Sequence, residues 1–239
     1  MATEQIKPDV LVAIVGAGFS GLGMAIKLRE AGMEDFLIVE AADEVGGTWR
    51  DSKYPGAAVD VPNHLYSFSF SQGTDWTRMF AKSEEIQNYI LDTTDKYDLR
   101  PKIKFNAKVT AASFDEQNDL WVIKTAKGET LRARFVVSAI GPFAESQVPN
   151  IPGVKDFKGT MVHTASWKQG LDLRGKRVAV VGSGASAIQV VPAIAPIVKE
   201  LKVFQRTPSW IVPKADYEYS DFEKALYRYL PFTQKIRRA

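Results

Sequence analysis

Two short runs of small residues have the composition and spacing of an anion cradle: GAGFSG at residues 16–21 and GSGASA at residues 182–187. Each follows an apolar run, DVLVAIV before the first and RVAVV before the second. Each also opens a stretch with helical spacing, LGMAIKLREAG and AIQVVPAIAPIVKE. In a strand–turn–helix unit the free N–H groups and the dipole at the helix start favour a pyrophosphate. Gly16 and Gly182 permit the turn, Gly18 and Gly184 let backbone approach the ligand, and Gly21 allows close packing of helix on strand, with Ala187 in the corresponding place of the second copy. The second strand of each unit, FLIVE or LKVFQR, ends in a charge 24 residues after the first glycine, Glu40 in one and Arg206 in the other. A carboxylate there accepts hydrogen bonds from a ribose diol and repels a 2′-phosphate, whereas a guanidinium pairs with that phosphate. The first cradle is thus expected to take FAD or, as the second choice, NAD, and the second to take NADPH. A solvated strand-end charge is the competing reading of Arg206. Pro192 and Pro196 predict a break in the second helix.

The rest of the composition narrows the class. The chain has 239 residues, 45% of them hydrophobic and 25% charged, which is ordinary for a soluble globular protein, and the two strand–turn–helix–strand units make the expected fold class α/β. A net charge of +3, with both signs dispersed, gives no support to a nucleic-acid or anionic-membrane partner. The apolar run near the N-terminus is too short to span a bilayer and is interrupted by Gly16 and Gly18, so a cytoplasmic protein without a membrane partner is expected. There is no cysteine, which removes disulfide and thiolate-metal chemistry from this chain, and with His64 and His163 as its two histidines no metal site is expected.

Two further stretches spend aromatic and glycine residues without any regular period: GGTWRDSKYPGAAVD at residues 46–60 and FKGTMVHTASWKQG at residues 157–170. Trp49 and Tyr54 read equally well as core aromatics of a large loop. Asp60, taken alone, reads as a loop residue that hydrogen-bonds its own backbone. The first stretch resembles the GGxWxxxxYPGxxxD segment of Baeyer–Villiger monooxygenases. The second resembles their FxGxxxHxxxW signature through Phe157, Gly159, His163 and Trp167, although Lys168 stands where those enzymes usually carry proline or aspartate. With the two glycine motifs and QRTPSW, the ordered set covers most of residues 10–210. Flavin monooxygenases that oxidise nitrogen or sulfur generally end the signature in a different aromatic, so Trp49 and Trp167 favour the ketone-oxidising branch.

The resemblance implies a pair of Rossmann-like dinucleotide-binding domains. An FAD domain at 1–147 would include a β-meander over KIKFNAKVTAASFDEQNDLWVIKTAKGETLRARFVVSAIG, a linker with the signature would occupy 148–175, and the start of an NADPH domain would occupy 176–239. It also implies FAD contacts from Gly16, Gly18, Ser20, Gly21, Glu40, Gly47, Thr48, Trp49, Asp60, Tyr66 and Val109. NADPH would be held by Gly182, Ser183, Gly184, Ala185, Ser186, Ala187, Gln189, Arg206 and Thr207. Asp60 would orient an arginine from beyond this chain. The implied reaction inserts one atom of O2 beside a ketone carbonyl, through a peroxide carried by NADPH-reduced flavin, giving an ester or lactone. The chain reads as the N-terminal half of such an enzyme, with the C-terminal half as its missing partner. The alternatives are an N- or S-oxidising flavin monooxygenase and a nucleotide-binding fragment without turnover. His163 is expected to serve the connector as a hinge or docking residue and not as a general base. The tail, with apolar spacing at Phe222, Leu226, Tyr229 and Leu230, is expected to form a helix that ends at Pro231, packed on the missing half or, as the lesser alternative, lying on a membrane surface.

Overall fold

The computed structural model describes residues 6–143, 146 and 148–238. The chain divides into two compact units, Met1–Arg50 with Gln87–Ala144, and Asp51–Ile86 with Glu145–Ala239. The GGTWRDSKYPGAAVD stretch is therefore split between them, with everything after Arg50 belonging to the second unit.

In the first unit, β1 (Val10–Val15) lies between β2 (Phe36–Val39) and β6 (Thr130–Ser138), parallel to both. A strand paired on both sides and covered on both faces carries a continuous apolar run, and Val12, Ala13 and Ile14 are buried accordingly. Strands β3 (Ile103–Lys104), β4 (Val109–Asp115) and β5 (Leu120–Thr125) complete a six-stranded sheet of order β3-β2-β1-β6-β5-β4. The expected meander is confined to β4-β5-β6, antiparallel throughout, because Ile103–Lys104 at its expected start pair in parallel with β2; its last strand joins the parallel part of the sheet with Val12 opposite Phe135.

Helix α1 (Phe19–Glu30) packs Leu22, Ala25, Ile26 and Leu28 into the core. Burial of each large aliphatic side chain contributes on the order of 1.5–3 kcal/mol. Its end is set by Gly32 at φ +77: the Gly32 N–H donates to Arg29 O at 2.9 Å and the Met33 N–H to Leu28 O at 2.9 Å, the paired bonds of a Schellman cap. Two further helices are α2 (Thr48–Asp51) and α3 (Ser83–Lys96).

The second unit holds a parallel pair, β7 (Arg177–Val181) and β8 (Glu200–Phe204), connected by α4 (Ala185–Ile194). Helix α4 is shorter than its apolar spacing suggested. It accommodates Pro192 in its last turn and stops two residues before Pro196, so the expected break falls at the helix end. Residues 77–80 run antiparallel beside 216–219: the Met79 N–H donates to Tyr217 O at 3.0 Å and the Tyr219 N–H to Thr77 O at 2.9 Å. Arg78 locks the pair, its Nε and Nη2 lying 2.9 and 2.8 Å from Asp216 Oδ2. That hydrogen bond raises the Arg78 pKa further above its usual range.

The tail forms α5 (Asp221–Tyr229), opened by a capping box between Ser220 and Glu223, and α6 (Phe232–Arg238) on the far side of Pro231. Within this chain Phe222, Tyr229 and Leu230 of the apolar spacing are exposed, and the helix is held through its other side, where Tyr227 is buried edge-on against Tyr219 at 5.3 Å. No helix among the described residues is long and apolar enough to cross a membrane.

Candidate dinucleotide-binding sites

The first glycine turn is built from close approaches. Gly16 has φ +108, and a Cβ there would sit 2.5 Å from Ala139 O. A Cβ on Gly21 would fall inside the van der Waals radius of Gly16 O, so the first turn of α1 lies directly on the glycine turn. A second glycine pair faces it: the Gly46 N–H donates to Ala17 O at 3.0 Å, and a Cβ on Gly47 would meet Gly18 Cα at 3.4 Å. Gly18 caps α1 without any side-chain hydrogen bond, leaving the first N–H groups of the helix directed outward. Ser20 and Thr48 are exposed at this end, and Trp49 is half-buried, with its N–H donating to Gly46 O at 3.2 Å.

Glu40 lies immediately after β2 and is 5% exposed. Its Oε2 accepts from the Ala17 N–H at 2.7 Å, and its Oε1 accepts from the Ala42 N–H at 2.9 Å and from Arg50 Nη1 at 3.0 Å. A carboxylate offers about four acceptor positions, so three donors leave room for a ribose hydroxyl. This carboxylate also braces the glycine turn, a role that the motif alone does not reveal. Arg50 and Gln87 are the residues here that the sequence reading missed. Arg50 ties Glu40 to Glu44 O at 2.7 Å. Gln87 donates to Val45 O at 2.9 Å, while its Oε1 is buried without a hydrogen-bond partner among the described residues. Val109 begins β4, opposite Thr125 and next to a register shift.

The second glycine turn is open by contrast. Gly182 has φ +119, and a Cβ on Gly182 or Gly184 would meet nothing within 4 Å. The Gly182 N–H donates to Phe204 O at 2.8 Å, which aligns the turn with the end of β8. Ser183 Oγ donates to Thr207 O at 3.1 Å and so holds the segment carrying the exposed Arg206 beside the turn. Ala185, Ser186 and Ala187 form the first turn of α4 behind Gly184. Gln189 turns away from this end, accepting from Tyr54 Oη and donating to Ala58 O, both at 2.8 Å.

Asp60, in the second unit, is exposed and has no hydrogen-bond or ion-pair partner among the described residues, so it is not spent on its own loop backbone. Tyr66 follows in the same segment and is half-buried. In the signature stretch, His163 caps a short 3-10 turn (Thr164–Ser166), its Nδ1 accepting from the Ala165 N–H at 3.1 Å. At Gly159 the tip of the exposed Phe157 ring lies 2.5 Å from the place a Cβ would take, a contact the ring can relieve by moving, and the backbone there is not left-handed. Trp167 is half-buried, and Phe157 and Lys168 are exposed.

These features fit anionic dinucleotides: two helix N-termini free of side-chain caps, cradles that a Cβ would fill or crowd, and a carboxylate at one strand end with a guanidinium at the other. Residues 13–226 match the family model described as pyridine nucleotide-disulphide oxidoreductase. The chain belongs to the pyridine nucleotide-disulphide oxidoreductase family. This member of the family has no cysteine among its 239 residues, so the disulfide chemistry in the family's description is not available to the chain.

Similar proteins support the resemblance drawn from the motifs. A Baeyer–Villiger monooxygenase of Streptomyces coelicolor is 48% identical over 98% of this chain and 45% of its own length. One of Pseudomonas aeruginosa is 47% identical over 95% of this chain and 43% of its own. Among solved structures, a closed form of cyclohexanone monooxygenase aligns with TM-score 0.87 at 37% identity, covering 96% of this chain and 44% of that one. A steroid monooxygenase bound to NADP aligns with TM-score 0.86 at 37% identity, covering 97% and 45%. The chain therefore spans about 45% of the length of these relatives.

Proposed function

We propose that this chain supplies the FAD cradle and the glycine turn of the NADPH site in a cytoplasmic Baeyer–Villiger monooxygenase acting on a small ketone and O2. The observation that carries this reading is the pair of homologous turns with opposite charge at the ribose-reading position, Glu40 braced against one and Arg206 held beside the other. Its support comes from relatives of that name and from solved neighbours bound to FAD and NADP.

Gly16, Gly18, Ser20, Gly21, Gly47, Thr48 and Trp49 hold FAD along the pyrophosphate and its flanks, with Glu40 on the ribose and Val109 at the border of the site. Gly182–Ala187 hold the second pyrophosphate, and Arg206 with Thr207 receives the 2′-phosphate. The flavin, when bound and reduced, activates oxygen for insertion beside the carbonyl; the protein's contribution is to place it, exclude water and stabilise negative charge. Asp60 and Tyr66 belong to the flavin contacts, and the unpartnered carboxylate of Asp60 is available to orient a cationic side chain. Phe157, Gly159, His163 and Trp167 shape the connector, and the His163 cap keeps its Nδ1 occupied.

The test is a flavin spectrum of the purified chain, followed by NADPH under nitrogen and then in air. Bound flavin that bleaches with NADPH and recovers in air supports the reading. A colourless protein after reconstitution with FAD would remove the flavin assignment. For the complete protein, conversion of a cyclic ketone to a lactone supports the ketone-oxidising branch, whereas turnover limited to amines or sulfides would replace it with the N- or S-oxidising alternative.

A further inference from the structure

The segment Tyr54–Asp60 and helix α4 are distant in sequence, yet the second unit joins them closely. Gln189, on the first half of α4, uses both ends of its amide: Tyr54 Oη donates to Oε1 and Nε2 donates to Ala58 O, each at 2.8 Å. The assignment of the amide is self-consistent, because a flipped group would face the Ala58 carbonyl with another acceptor. Between these two bonds Gly56, at φ +83, lies against the helix backbone. A Cβ there would be 2.5 Å from Gln189 O and 3.2 Å from Ala193 Cβ. The glycine of the YPG run is thus required by close approach of the loop to α4 as well as by its left-handed backbone.

The far end of the loop is fixed too. Lys214 Nζ donates to Val59 O at 3.0 Å and lies 4.6 Å from the centre of the Phe80 ring, and the Val59 N–H donates to Ala81 O at 3.0 Å. Ala57 and Val59 are buried, which leaves Asp60 as the exposed, unpartnered end of a segment otherwise held along its length.

We propose that Gln189 is a positioning residue that makes the Tyr54–Asp60 segment move with α4, so that a pyridine nucleotide held at the N-terminal end of α4 is registered at the Asp60 carboxylate. This rests on the reading of the second glycine turn as a nucleotide site. It gives Gln189 a task other than touching the nucleotide. A bound anion orders the first turn of α4. The amide four residues into that helix then transmits the order through two hydrogen bonds and a glycine contact.

Hydrogen exchange of this chain, with and without NADP+, tests the link in wild type, Gln189→Ala and Tyr54→Phe. Without nucleotide, Gln189→Ala should speed exchange of the Ala57 and Val59 amides about tenfold, as expected for two lost side-chain hydrogen bonds, with a smaller increase for Tyr54→Phe. With NADP+, wild type should gain protection in both 183–191 and 54–60, while Gln189→Ala should gain it in 183–191 alone. A Gln189 that acted as a direct ligand would instead lose protection in 183–191, which would overturn the proposal. Unchanged amides in ligand-free Gln189→Ala, or nucleotide-induced protection of 54–60 that survives the substitution, would overturn it as well. If NADP+ protects neither region of wild type, the nucleotide-site reading falls and the transmission falls with it. The ligand-free comparison then decides separately whether Gln189 holds the loop.

Discussion

The two glycine turns share a sequence device and differ in what surrounds it. The first is anchored on a central strand of a six-stranded sheet, with Ala17 buried, Gly21 pressed on the Gly16 carbonyl and Glu40 bonded to three donors. The second stands at the end of a two-stranded pair whose Val181, Val203 and Phe204 are exposed, with open space at Gly182 and Gly184 and a solvated Arg206. The same motif therefore meets two different demands. In the first turn glycine is needed because the backbone is crowded at Gly16 and Gly21; in the second, Gly182 is needed for its φ of +119, while Gly184 borders open space.

Adding a methyl group at the crowded glycine of the first turn and at the open glycine of the second should break this comparison if it is wrong. The two positions are not equivalents, because Ala187 already stands in the place of Gly21. Gly21→Ala inserts a Cβ into backbone and should cost about 3 kcal/mol of first-unit stability, with loss of flavin capture. Gly184→Ala, at an ordinary φ of −77, should leave stability within about 0.5 kcal/mol while lowering NADP+ affinity. Urea denaturation and nucleotide titration of both variants check this, and equal destabilisation would remove the distinction. Next in size is Glu40→Gln. The half-buried Arg50 loses its ionic partner and the Ala17 N–H a charged acceptor, which predicts a loss of about 2 kcal/mol together with weaker FAD retention on dilution.

A smaller effect separates the units by pH. Both histidines belong to the second unit. Burial, reinforced by Arg237 and Arg238, holds the His64 pKa below its ordinary 6.5. A group lowered on folding stabilises the fold while it is neutral. That contribution is present above about pH 6.5 and is lost as pH falls through the folded-state value. Arg238 Nη1 donates to His64 O at 3.0 Å, so the docking of α6 should weaken first. A small fall in the second unit's urea midpoint between pH 7.5 and 5.5, flattened by His64→Gln, is the expected outcome. An unchanged pH slope in that variant would assign the effect elsewhere.

Much of the first unit was legible in the sequence because its signals are local. The apolar run of β1, the glycine turn, the Gly32 stop and the meander each announce themselves within a dozen residues or so. The bracing of Glu40 by Arg50 spans only ten residues but follows no motif, and the grouping of residues 51–86 with the second unit depends on hydrogen bonds between segments far apart in the chain, such as Arg78 with Asp216 and Gln189 with Tyr54. No periodicity encodes such pairs. The tail shows a different limit: spacing located the helix and the face left exposed at Phe222 and Tyr229, but it gave no sign of the second face, where the aromatic contact with Tyr219 buries Tyr227.

The central claim is that opposite charges at matched positions assign the two cofactors. Its most direct test is the ratio of NADH to NADPH dissociation constants, measured by titration calorimetry on flavin-loaded wild type and Arg206→Ala. Loss of a charge-assisted pair with the 2′-phosphate should weaken NADPH by about 10- to 100-fold, leave NADH within about twofold, and leave flavin content unchanged. Equal losses for both nucleotides, or none for either, would contradict the account.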